Sequence, residues 1–148
     1  MNEPDIYREW APPPGWGHAV ACCWEQRVSS ERVQRVLPDG HADLLIYDCG
    51  VIEVVGPYDE VSLPVLPAGT HLQGIRFHPA AIAAAFRTPA SSLRNRSVPA
   101  DSVLGFRQAH SLADRQGIHA WIRSIEPSSR QIPKSCSANL IASISAKQ

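Results

Sequence analysis

Thirteen prolines are scattered along the 148-residue chain instead of gathering in one linker, and that spacing caps the length of any regular element. Proline fixes φ and removes a backbone donor, so it stops helices and central strands alike. Punctuation this dense suits many short strands better than long helices. The segments between the prolines agree. His18 to Val28, "HAVACCWEQRV", is short, β-prone and followed by polar "SSE". "RVQRVL" alternates valine and leucine with polar residues, and Pro38-Asp39-Gly40 supplies turn chemistry. "HADLLIYDC" and "VIEVVG" read as two further strands divided near Gly50. "VSLPVL" reads as an edge strand because of its internal proline, and "THLQGIRF" as a sixth strand in which Gly74 suggests a bulge. Ahead of them, "EPDIYREWAPPPGWGH" is an extended arm whose Tyr7, Trp10 and Trp16 need apolar cover, so it should lie across the domain.

After Phe77 the period changes. "HPAAIAAAFRT" opens with Pro79 at a favoured first helical position and continues in strong helix formers. "PASSLRN" and "PADSVLG" are shorter helical pieces. From about Phe106 to Ile125 the apolar residues fall mostly three and four apart, which predicts one amphipathic helix weakened by Gly117. Strands followed by helices make an α+β chain, with an antiparallel barrel or sandwich of about six or more strands ahead of several helices. Residues 1–125 are expected to form one domain, and the serine-rich stretch 126–148 a disordered tail.

Composition narrows the function. Lysine plus arginine and aspartate plus glutamate are each 14, so the chain lacks the basic excess of a self-contained DNA binder. No window offers the ~20 apolar residues needed to span a bilayer. The start "MNEPDIYREW" is acidic, unlike a secretory signal, and a cytoplasmic location is expected. The four cysteines (Cys22, Cys23, Cys49 and Cys136) form no C-x-x-C pair, and free thiols are expected. There is no G-x-S-x-G elbow, P-loop or G-x-G-x-x-G, so no catalytic residue is assigned and no enzyme is expected. His110 and His119 are read as surface residues, and Arg94, Arg96 and Arg107 as a solvated face.

The ordered set "YREWAPPP", a strand ending in Trp24, "VLPDGHADLLIY", a "VVGP" corner at Val54 to Pro57, "GIRFHPAAIAAAF" and "TPASSLRNRSVPADSVLG" resembles the N-terminal regulatory domain of one group of AraC-type bacterial transcriptional regulators. It covers roughly residues 7 to 105; Ala80 departs from the glycine common in that family. The resemblance implies a cupin-like β-barrel that senses a small-molecule effector, dimerises, or does both. DNA would be bound only through a helix-turn-helix domain, which the sequence given does not contain. A small cupin-like metal-dependent enzyme is the alternative.

Within that frame, Asp39, His41 and Asp43 alternate along "PDGHAD" and admit three readings. In the first, Asp39 bonds its own backbone while Gly40 turns the chain. In the second, the cluster faces the barrel cavity, and the ligand-binding set is Trp24, Asp39, His41, Tyr47 and Arg76. In the third it holds a metal; but metal-binding cupins supply two histidines one residue apart, and His41 has no such partner. No metal and no cofactor is assigned. Leu112, Trp121 and Ile125 are the expected dimer or interdomain surface, because the last helix should need cover there.

Overall fold

The computed structural model describes residues 4–126, so the expectation for the tail lies outside the described residues. The extended arm forms a strand of its own, β1 (Ile6–Trp10), and the six β-prone runs become strands in the order foreseen: β2 (Val20–Arg27), β3 (Arg32–Val33), β4 (Ala42–Tyr47), β5 (Ile52–Val55), β6 (Val65–Leu66) and β7 (His71–Phe77). A three-residue strand, β8 (Ser97–Pro99), was not foreseen; it forms because β5 pairs with it at Glu53–Pro99, Val54–Val98 and Val55–Ser97. All pairings are antiparallel. They build a six-stranded sheet in the order β1-β2-β7-β4-β5-β8 and a separate two-stranded sheet, β3-β6.

The α+β arrangement of strands followed by helices stands, but the shell is open, because β1 and β8 end the large sheet and do not pair with each other. The proline-rich arm lies across the domain as expected: β1 adds to the edge of β2, and Asp5 Oδ1 accepts from both Ser29 N and Oγ at 2.7 Å.

The bulge expected at Gly74 is absent, and a bulge forms on β2 instead. Register slips between Val20 and Cys22 on β2, where Val20 faces Phe77 and Cys22 faces Arg76, leaving Ala21 as the extra residue. Gly74 is regularly paired with Trp24 and Leu45. Its missing side chain serves packing instead: a Cβ there would stand 2.0 Å from Trp24 Cε2. The indole therefore lies flat over the β7 backbone.

One face of the large sheet carries the core. Val20, Cys23, Leu44, Val54, Ile75 and Phe77 meet the helices that follow: a 3₁₀ turn (Pro79–Ala81), α1 (Ile82–Phe86), α2 (Ala90–Leu93), α3 (Ala100–Leu104), α4 (Phe106–Ser111) and α5 (Arg115–Ser124). Phe77, Phe86 and Trp121 pack ring to ring, with centroids 5.1 to 5.9 Å apart.

Two expectations about the last helix fail. The stretch 106–125 is two helices, because Asp114 caps α5 by accepting from Gly117 N at 2.7 Å. Gly117 therefore sits in the first turn of α5, where a Cβ would stand 1.7 Å from the Ser111 carbonyl oxygen. And Leu112, Trp121 and Ile125, expected to form a dimer or interdomain surface, are 0%, 6% and 5% exposed. The apolar stripe of α5 is real, but it turns inward onto the sheet and leaves no exposed face for a partner at these residues.

Candidate functional site

Between the other face of the large sheet and the inner face of β3-β6 lies a partly open cavity of about 210 Å³. Its floor follows from strand register, because residues facing one another across paired strands share a face. One row runs Cys22, Arg76, Asp43, Val55, Ser97 across β2, β7, β4, β5 and β8. The next runs Glu9, Trp24, Gly74, Leu45, Glu53. A third runs Tyr7, Gln26, Leu72, Tyr47. The bulge at Ala21 sets this face, since it turns Cys22, Trp24 and Gln26 toward the cavity and leaves both Val20 and Cys23 in the helix-side core. Val36, Ser62, Pro64 and Leu66 line the cavity from above. Gln26 Nε2 donates across it to Gln34 Oε1 at 3.2 Å, tying floor to roof.

The lining is mostly apolar, with Arg76 as its only cation. Arg76 is 6% exposed. It binds Asp43 in a fork, Nε to Oδ1 at 2.8 Å and Nη2 to Oδ2 at 3.0 Å. Burial alone would favour loss of the guanidinium proton, but the adjacent carboxylate outweighs it and holds the charge on Arg76. The guanidinium carbon lies 5.8 Å from the Trp24 ring, and Tyr7 stacks on the same indole at 5.9 Å. Burial pushes the Tyr7 hydroxyl well above its usual range, so it stays protonated. Arg76 Nη1 and Trp24 Nε1 are buried donors with no acceptor among the described residues.

Of the five expected ligand residues, Trp24, Tyr47 and Arg76 line this cavity, whereas Asp39 and His41 do not. The first reading of "PDGHAD" describes them: His41 N donates to Asp39 Oδ1 at 3.0 Å, and Gly40 turns at φ 75°. His41 Nδ1 is 3.0 Å from the Asp39 carbonyl oxygen. Burial works to raise the Asp39 pKa, but bonds to His41 and the nearby Arg76 charge win and lower it. The alternating triplet thus splits, with Asp39 and His41 in the turn and Asp43 on the cavity floor. Asp43 faces the cavity as the second reading had it, although it was left out of the ligand set, and Tyr7, Glu53 and Gln26 were missed as lining residues. For Asp43 the signal was present, since it shares the face of Leu45 and Tyr47 at steps of two.

Among the described residues, no three His, Cys, Asp or Glu side chains are grouped to hold a metal ion. Cys22, Cys23 and Cys49 are free. Burial pushes the Cys22 thiol up to about 12 and the Cys23 thiol up to about 11, which disfavours the nucleophilic thiolate. His119 is not a plain surface residue, because its Nδ1 accepts from Trp16 Nε1 at 2.9 Å; His110 is exposed as expected. Arg94, Arg96 and Arg107 are exposed. Among the described residues no helix is long and apolar enough to cross a membrane.

Residues 8–99 match the family described as DUF6597, a domain of unknown function, and the chain belongs to that family. The match runs from within β1 to the end of β8 and takes in every cavity-lining residue except Tyr7. No curated protein and no solved structure matches the chain.

Proposed function

We propose that this DUF6597 domain is an effector-sensing module of the kind found at the N-terminus of AraC-type transcriptional regulators. The observation that supports the reading is the cavity itself. A buried arginine, held by Asp43 and flanked by the Trp24 indole, lines an otherwise mostly apolar space and has one buried nitrogen, Nη1, without an acceptor. Ligand sites have this composition, apolar walls with a few placed polar groups. At about 210 Å³ the space is smaller than the ~300–1,000 Å³ of drug-sized sites, so it suits a small metabolite.

Sensing works by linkage. A molecule bound between the two sheets favours whichever arrangement of roof, floor and helices it contacts best, and shifts the population toward it. The module carries no catalytic residue in this reading. It assembles as a homodimer in the cytoplasm, and the dimer uses a surface other than Leu112, Trp121 and Ile125, which are core. Sedimentation velocity tests the dimer, and a strict monomer at high concentration refutes it.

The sensing claim is tested by saturation-transfer NMR with a mixture of bacterial metabolites. Val55→Phe serves as a control that fills the cavity from the floor. A hit that disappears in the filled variant supports the reading; the absence of any hit sensitive to the filling overturns it.

A further inference from the structure

The sensing reading leaves the chemistry of the effector open, and the lining narrows it. Three nitrogens of Arg76 differ in their fates. Nε and Nη2 are spent on Asp43, at 2.8 and 3.0 Å, while Nη1 is buried without an acceptor. Trp24 Nε1, on the neighbouring strand, is a second buried donor without one. The residues carrying them are 6% and 7% exposed. Buried donors left unmatched are costly, so this wall calls for an oxygen acceptor.

The charge around them decides what kind of acceptor. Two carboxylates line the cavity with Arg76, Asp43 bonded to it and Glu53 two strands away on β5, and Glu9 stands beside Trp24 on β1. The positive charge is therefore already matched, and the ionised groups of the lining sum to one negative charge. A carboxylate or phosphate would enter a mostly apolar space beside a wall of its own sign. A bare ammonium group would satisfy Asp43 and Glu53 but offer nothing to Arg76 Nη1 or Trp24 Nε1. A polyol would set hydroxyls against Leu45, Val55, Leu66 and Leu72, which have no polar atoms to receive them. One head group meets both demands without charge: an amide, whose carbonyl oxygen accepts from the Arg76–Trp24 wall and whose N–H groups donate to Glu53 or Asp43.

Resting on the sensing reading above, we propose that the cavity takes a small uncharged carboxamide with an apolar, ring-sized body, its carbonyl on Arg76 Nη1 and its amide nitrogen toward the Asp43–Glu53 side. The body lies among Leu45, Val55, Leu66 and Leu72 beside the Trp24 indole.

The test uses the whole 148-residue protein and two probes of the same shape that differ in charge, benzamide and benzoate. By isothermal titration, benzamide binds the wild-type protein at least about tenfold more tightly than benzoate, a modest demand for one buried like-charge contact. In Asp43→Asn the lining sum rises to zero, and the preference for benzamide shrinks by at least about tenfold as benzoate gains. Val55→Phe abolishes benzamide binding while its far-ultraviolet circular dichroism stays that of the wild type.

Benzoate binding as tightly as benzamide in the wild-type protein overturns the assigned class but leaves a ligand cavity in place. Benzamide binding that survives Val55→Phe overturns the assigned position. If neither probe binds at millimolar concentration, the carboxamide assignment falls, and the metabolite screen with the filled variant decides separately whether the sensing reading falls with it.

Discussion

Adding one methyl group at Gly74 should cost the fold more than an ordinary glycine-to-alanine change in a strand, and should do so only while Trp24 is present. The Cβ would stand 2.0 Å from Trp24 Cε2 and 2.3 Å from both Cζ2 and Nε1, so the indole has to leave its place on β7. Overpacking of this kind costs about 1–3 kcal/mol. Lifting the ring also weakens its stack on Tyr7, worth about 0.5–1.5 kcal/mol, and its contact with Arg76. Against this, alanine lowers unfolded-chain entropy by about 0.4–1 kcal/mol where the backbone permits it, and no positive φ marks Gly74. The balance for Gly74→Ala is a loss of about 1–3 kcal/mol. In a Trp24→Leu background the ring atoms are gone, and the same alanine should be neutral or stabilise by a few tenths of a kcal/mol. Urea unfolding of the four proteins, followed by far-ultraviolet circular dichroism, gives the coupling directly. Additivity of the two changes within about 0.5 kcal/mol would mean that the indole does not rest on the Gly74 backbone.

Three further outcomes are expected. Arg76→Met leaves the half-buried Asp43 carboxylate without its partner and should cost about 3 kcal/mol, whereas Arg76→Met with Asp43→Leu recovers most of that loss in the same urea assay. Gly117→Ala, which raises stability by about 1 kcal/mol in an ordinary helix interior, should lower Tm here, because the methyl meets the Ser111 carbonyl. His71, bridging Glu25 at 3.1 Å and Asp48 at 2.6 Å, and buried His78 should give opposite pH dependences. Glu25 above all raises the His71 pKa and, with help from Asp48, outweighs the opposing effect of burial, so its contribution is full below the unfolded value near 6.5 and fades as pH climbs through the folded one. For so exposed a bridge the effect is about 0.2–1 kcal/mol, read as a gap between wild type and His71→Gln that narrows from pH 6 to pH 9. Burial first, then the neighbouring His41, lowers the His78 pKa, so its contribution holds above about 6.5 and is lost as pH falls; His78→Asn should flatten the acid side of the stability curve.

Local signals carried most of the strand order. Proline and glycine fell between the alternating runs, and "PDG" formed the turn its residues specify, with Asp39 bonding its own backbone. Features set by distant partners were not legible. β8 is three residues whose extended state depends on β5, and Arg76 meets Asp43 across 33 positions of sequence. The single extra residue at Ala21 decides which side chains of β2 face the cavity, and nothing in "VACCW" marks it. At the last helix a readable signal was outweighed: Asp114 is a good cap, but the three-and-four spacing of apolar residues ran straight through it. The same spacing correctly marked an apolar stripe at Trp121 and Ile125, while the sheet it packs on could not be known from the helix alone.

The small sheet over the cavity is held by little. Its ladder is Arg32–Leu66 and Val33–Val65, extended by bonds from Gln34 N to Pro64 O and between Val36 and Ser62. Two-stranded pieces of this size are marginal by themselves, so this flap should open on its own far more often than the six-stranded floor. Such breathing is a route by which a molecule could enter without the hydrophobic core loosening. Once inside, the guest would act as a latch, and occupancy would be written as slower exchange of the Gln34, Val36 and Ser62 amide protons, because the closed arrangement of the flap gains population.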